Sequence, residues 1–231
     1  MPRARPIPRM TSVTCRPPAG RGCTPRLVWV PPAQGPEPVA RDRADRPEAK
    51  PLRLFVAVEI PDTVKDVVEE AFAPWREAFP KARWVPRENL HVTLKFLGRT
   101  WPRLDVWVPE QVEEAAADVS RFSARLRSAG SFPSARRGRA LWAGFEDTKQ
   151  ISNLAAEIER ALADEFPTEK RPFHPHLTVA RSDPPLKLPA AYTRTELESH
   201  AWDVDHVVLF RSYLGRPAPR YEPLARFPLG V

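Results

Sequence analysis

The sequence predicts an α+β protein of two similar lobes, each a mainly antiparallel sheet with helices on its outer side, and a cleft between them. Two observations carry this expectation. Short strand-like runs come in adjacent groups with helical runs interspersed, a pattern that favours antiparallel pairing. One strand pattern also occurs twice, as HVTLKFLG from His91 and, 85 residues later, as HLTVAR from His176.

Leu54–Ile60 is a short apolar run and reads as a buried strand. Pro61-Asp62 then opens a helix, with Asp62 as its N-cap and Val64, Val67, Val68, Ala71 and Phe72 on one face. Pro74 should kink or end it. Arg83–Val85 is a short strand, and Pro86–Asn89 is a turn into the first motif strand, which Gly98 closes. From Leu104 to Leu126 the sequence reads as mostly helical: Val108, Val112, Ala115, Ala116, Val119, Phe122 and Leu126 keep close to a period of about 3.6. Phe132–Pro133 and Ala140–Phe145 are strands around a basic turn, Arg136, Arg137, Gly138 and Arg139. Thr148 caps a helix running to about Phe166, with Ile151, Leu154, Ala155, Ile158 and Leu162 inward. Pro172–Arg181 is the second motif strand, broken by Asp183–Pro185. Trp202–Ser212 and Arg220–Phe227 supply closing strands.

Residues 1–50 stand apart. They hold 11 prolines without helical or strand periodicity, and disorder is the expected state of such a composition. The organisation expected is therefore a disordered Pro/Arg-rich extension over 1–51 and one two-lobed domain over 52–231. No apolar stretch follows the basic residues, so no secretory signal is read there, and the prolines oppose a transit helix. We expect much of the extension to be dispensable, because folded pattern begins abruptly at Leu52, whose codon can serve as a bacterial start.

Charge and cysteines narrow the function. The formal charge is +7, but residues 1–50 carry nine Arg and one Lys against four acidic residues, which leaves only +1 for the remainder. Nucleic-acid contact in the folded part must come from a local patch. Cys15 and Cys23 are the only cysteines, so residues 51–231 hold no thiolate metal site, disulfide framework or Cys nucleophile. A cytoplasmic location is expected. No apolar run approaches the roughly 20 residues of a membrane span.

The repeated motif carries the chemistry. In a strand, His91, Thr93 and Lys95 share one face, while Val92, Leu94 and Phe96 share the other and belong in a core. His176 and Thr178 repeat the arrangement. A single His-x-Thr is a weak signal, and a lone strand histidine is more often an ordinary surface or core residue. His200 and His206 are read that way, and His174 is intermediate. The pair is different, because imidazole titrates near neutrality: one ring can accept a proton while its twin donates one. Threonine hydroxyls can meanwhile hold phosphoryl oxygens without adding charge. Two such units facing one phosphorus suit in-line displacement at a phosphodiester.

With RLFVAVEIP near the start of the folded part, WVPRENLH before the first motif and PFHPHLTVAR around the second, residues 52–230 resemble the two-histidine phosphoesterase superfamily. More closely they resemble its RNA 2′,3′-cyclic phosphodiesterases, often labelled 2′-5′ RNA ligases. The resemblance implies His91 as proton donor to the leaving ribose oxygen and His176 as the base that activates water. It implies Thr93 and Thr178 as phosphate-binding hydroxyls, and Arg181 as a basic residue on base or phosphate. It also implies hydrolysis of RNA 2′,3′-cyclic ends to 2′-phosphomonoesters by a monomer, with no cofactor or metal. The natural ends would be RNA such as tRNA fragments, and 2′-5′ joining would be the reversal of related chemistry. Two other readings stand beside it: a metal hydrolase using His91, His174 and His176, and a non-catalytic RNA-binding module on the same scaffold. Phe55, Trp84 and Phe173 are candidates for base stacking, and Arg136, Arg137 and Arg139 for contact with RNA phosphates.

Overall fold

The computed structural model describes residues 50–216 and 218–231; the expectation of a disordered extension falls on residues 1–49, outside them. Ten strands and four helices follow one another along the described chain. Strand β1 (Leu52–Glu59) leads into α1 (Asp62–Ala78), β2 (Arg83–Trp84) and β3 (His91–Thr100). Next come α2 (Trp107–Ala117), β4 (Phe122–Ala124), β5 (Leu126–Phe132), β6 (Gly138–Phe145) and α3 (Lys149–Ala161). The chain closes with β7 (His176–Leu186), α4 (Ala190–Thr193), β8 (Trp202–Val204), β9 (His206–Tyr213) and β10 (Arg220–Pro228).

Two four-stranded sheets form the two lobes, with strand orders β10-β9-β1-β3 and β2-β7-β6-β5, and every named pair in them is antiparallel. The fold is α+β, as expected. Each sheet carries one motif strand, and β3 and β7 approach each other with Cα atoms within 8 Å. Two of the helices, α1 and α3, are exchanged between the halves, whereas α2 packs on β9 and β10 of the first lobe. Helix α1 follows β1 of the first lobe, yet its Phe72 and Trp75 pack on Tyr192, whose hydroxyl donates to the Gly130 carbonyl of β5 in the second lobe. Helix α3 follows β6 of the second lobe and packs on β3 of the first. One continuous apolar core results, running from Leu54 and Val56 through Ile151 and Leu154 to Leu177 and Val207.

Several local expectations need correction. Pro74 does not end α1, because Trp75 beyond it is anchored by its indole N–H to Thr195 at 2.9 Å. Asp62 is the first helical residue and pairs with Lys65, so the Pro61 carbonyl, accepting from Val64 and Lys65, starts the helix instead. Thr148 is in the N-cap position, but the Asp147 carboxylate accepts from the Lys149 N–H in its place. The long helix expected to Leu126 stops at Ala117; Phe122 and Leu126 are buried from strands, since Phe122–Ala124 pairs with Trp202–Val204. Asp183–Pro185 does not break β7. Ala140 opposes Arg181 and Gly138 opposes Leu186, so the prolines occupy a bulge where no ladder N–H is required. Gly98 continues β3 at φ 66, beside a second irregularity between Leu54 and Phe55. Among the described residues, no helix is long and apolar enough to cross a membrane.

Candidate active site

Both motif strands bulge at the same point. In β3, Ala57 opposes Thr93 and Val56 opposes Lys95, leaving Leu94 as the extra residue. In β7, Trp142 opposes Thr178 and Leu141 opposes Ala180, leaving Val179 extra. A bulge of one residue inverts the facing of everything after it. Lys95 and Ala180 therefore turn into the core, and Phe96 and Arg181 emerge beside the histidines. The expected faces of Lys95 and Phe96 are thus exchanged. Lys95 is 3% exposed, and its ammonium donates to Glu159 at 2.8 Å and to the Pro167 carbonyl at 3.2 Å. Phe96 is 55% exposed, with its ring 5.8 Å from Phe55.

The two histidines are held alike. His91 Nδ1–H donates to the Asn89 carbonyl at 2.7 Å, and His176 Nδ1–H donates to the His174 carbonyl at 2.7 Å. A carbonyl only accepts, so both neutral rings carry their proton on Nδ1 and leave Nε2 with a free lone pair. On His91 that lone pair accepts from the Thr93 hydroxyl at 3.1 Å. His91 is walled by Phe55 at 4.9 Å and by Tyr221 edge-on at 5.1 Å; His176 meets Phe132 edge-on at 5.0 Å.

Burial pushes His91 down to about 4, and the Arg181 and His176 charges push the same way. His176 is lowered too, first by burial, with His174 and Arg181 adding to it. Arg181 therefore acts on both rings, and the charge of His176 acts on His91. Tyr221 lies within reach of the same guanidinium: burial raises its phenol, and Arg181 draws it partly back. The structure thus brings His91, His176 and Arg181 within electrostatic reach of one another, with Thr93 bonded to His91 and Thr178 two residues beyond His176 on the same strand. Sequence reading missed Phe96, Tyr221 and Phe210. The mirrored position five residues after each motif His was the available signal for Phe96.

Other candidates separate from the site. Phe55 is 2% exposed and backs His91 as part of a small cluster with Ala57, Val208 and Phe210. Trp84 packs on Phe72 and donates to the Phe79 carbonyl, a structural role. Phe173 is partly exposed at 37%. His174 sits edge-on to Phe132 and beside Trp142. His206 lies between Asp205 at 2.6 Å and Glu59 at 3.2 Å, and Glu59 is lowered despite its burial because Arg226 and His206 bind it. A groove of about 480 Å³ adjoins His91 on this side, lined by Glu59, Asp62, Glu88, Asp203 and Asp205 among others. His176 does not line it.

A pair of imidazoles with matched tautomers, each followed two residues on by a hydroxyl on the same strand face, is the arrangement expected of a two-histidine phosphoesterase. The family model of the 2′-5′ RNA ligase superfamily matches residues 64–216, and the chain belongs to that superfamily. It is 33% identical over 189 residues to the RNA 2′,3′-cyclic phosphodiesterase of Thermus thermophilus, covering 77% of this chain and 90% of that protein. It is 30% identical over 184 residues to the enzyme of that name from Geobacillus stearothermophilus, covering 78% of this chain and 58% of that longer protein. The crystal structure of TT0787 from Thermus thermophilus superposes with a TM-score of 0.66 at 31% identity, over 77% of this chain and 98% of that one.

Proposed function

We propose that this protein opens 2′,3′-cyclic phosphate ends of RNA to 2′-phosphomonoesters by acid–base catalysis between His91 and His176. The observation that supports the reading is the approach of the two His-x-Thr strands, β3 and β7, with both Nε2 atoms available for proton transfer. The name shared by the relatives supports the substrate. His176 takes a proton from water as the water oxygen attacks phosphorus. The P–O3′ bond breaks, and His91 gives its Nε2 proton to O3′. Thr93 and Thr178 donate hydrogen bonds to the non-bridging oxygens, and Arg181 offsets the charge that accumulates there. The order of donor and acceptor follows the family resemblance, since the local geometry of the two rings is alike.

The low value of His91 fits this scheme through the substrate. Free His91 is neutral at pH 7. A phosphodiester anion beside it replaces the missing solvation, raises its affinity for a proton and turns it into an acid. The protonated ring then releases the Thr93 hydroxyl, which it otherwise accepts from, to the phosphate. In this reading a monomer acts in the cytoplasm on RNA fragments such as cut tRNA.

The direct test is incubation of a short RNA ending in a 2′,3′-cyclic phosphate with the protein in EDTA, followed by analysis of the end formed. A 2′-phosphomonoester is expected. Activity lost in EDTA and restored by a divalent ion would put a metal hydrolase in its place.

A further inference from the structure

The proposed reaction uses only the last nucleotide of the RNA, while the charged residues lining the groove beside His91 are mainly carboxylates, with Arg53 and Arg181 acting on Tyr221 at its wall. On the β1 side, the groove beside His91 presents Asp62, Glu88, Asp203 and Asp205, all exposed, against Lys65 and His206. Lys65 is already paired with Asp62. A phosphate entering there meets carboxylates at close range and is repelled.

On the β6 side, the sign reverses. Ala140 of β6 is registered against both Phe132 of β5 and Arg181 of β7, and Arg181 against Arg83 of β2. One row across the sheet thus carries Phe132, which touches His176 edge-on at 5.0 Å, together with Arg181 and Arg83. The connection directly beyond this row contains a single 3₁₀ turn, Ala135–Arg137, in which Arg136 and Arg137 are exposed. Lys187, next to the Gly138–Leu186 pair, is exposed at the same end. Arg139 is paired with Asp183 at 3.1 Å; among the described residues no ion pair involves Arg136, Arg137 or Lys187.

Resting on the phosphodiesterase reading, we propose that the RNA strand leading up to the cyclic phosphate crosses the second lobe. Its phosphates are held at the β5–β6 turn by Arg136 and Arg137, rather than in the acidic groove beside His91. The turn is therefore a subsite for the RNA body, reached from His176 over Phe132 and Arg181. It gives long RNA ends an advantage over a cyclic mononucleotide, which is too short to reach it.

Two measurements on Arg136→Glu/Arg137→Glu test this. Both residues are exposed, so the fold tolerates the change, and circular dichroism checks it. Fluorescence anisotropy of a labelled RNA of about ten nucleotides ending in a cyclic phosphate should show Kd raised about tenfold, with the salt slope reduced by at least about 1.4. Hydrolysis of adenosine 2′,3′-cyclic monophosphate should keep its KM within about twofold, since a single nucleotide has no further phosphate to place on the turn and exposed charges are screened over about 8 Å. Unchanged RNA affinity, or equal losses on RNA and mononucleotide, would overturn the assignment. So would RNA binding weakened by Asp203→Asn/Asp205→Asn, which should instead leave it unchanged or slightly tighter. Because anisotropy requires no turnover, failure of this path is separable from failure of the phosphodiesterase reading.

Discussion

His91 is the most constrained residue of the site. Its ring is half-buried between Phe55 and Tyr221, its Nδ1 proton is committed to the Asn89 carbonyl, and desolvation lowers its pKa to about 4. The folded value lies below the unfolded value near 6.5, so the unfolded chain binds the proton more tightly. This contribution to stability is full above about pH 6.5 and is lost as pH falls toward about 4, reaching on the order of 2–3 kcal/mol. Denaturant titrations across that range should show a flatter acid limb for His91→Gln than for the wild type; parallel limbs would contradict the assigned shift. Binding makes the same residue take up a proton. Calorimetry with a phosphate ligand at pH 7, repeated in buffers of different ionisation heat, should report uptake of close to one proton, and none if His91 stays neutral. Replacing Thr93 or Thr178 by Ala removes one hydrogen bond to the phosphate, which costs about 1–3 kcal/mol in kcat/KM, less than removal of either imidazole.

The motif strands show what sequence period can reveal and where it fails. The alternation of His91, Val92, Thr93 and Leu94 placed the imidazole and hydroxyl on one face correctly. It then failed at Lys95 and Phe96, because a bulge is set by pairing with β1, and a neighbour in space leaves no local mark. The same holds for Phe122 and Leu126, whose apolar spacing suits a helix but whose backbone pairs with β8 and β6. Small residues mark another spatial demand. A Cβ on Gly130 would lie 2.2 Å from the Trp142 indole, and one on Gly144 would lie 2.8 Å from the same ring. The indole lies across the sheet, wedged by Phe132 and His174. Gly130→Ala should therefore displace Trp142, lower stability by about 1–3 kcal/mol and disturb the wall beside His176. A thermal melt and the KM together measure this, and an unshifted melt would mean that the ring moves freely.

At the scale of the molecule, the repeated pattern foretold two sheets with one motif strand in each, but not the exchange of helices between them. Nothing in α1 or α3 alone says which sheet it covers, since an apolar stripe fits either. The exchange has a consequence for stability: neither lobe has a complete core without the other half of the chain. Residues 52–231 should unfold in one cooperative step by fluorescence and by circular dichroism, and a fragment ending near residue 147 should not fold alone. Two separated transitions would contradict a shared core. The charge pattern belongs to this scale as well. With +1 on residues 51–231, net charge cannot orient RNA, and the path proposed for it depends on the local contrast between the groove carboxylates and the arginines of the β5–β6 turn.

The central claim is that two imidazoles act together on one phosphorus, and a comparison of three variants tests it most directly. Turnover of an RNA 2′,3′-cyclic end is measured for His91→Ala, His176→Ala and the double variant. The account predicts that either single change lowers kcat by roughly 10³-fold or more, and that the double variant is scarcely slower than the singles. Near-normal turnover by either single variant, or losses that multiply in the double, would mean that the rings do not share a reaction.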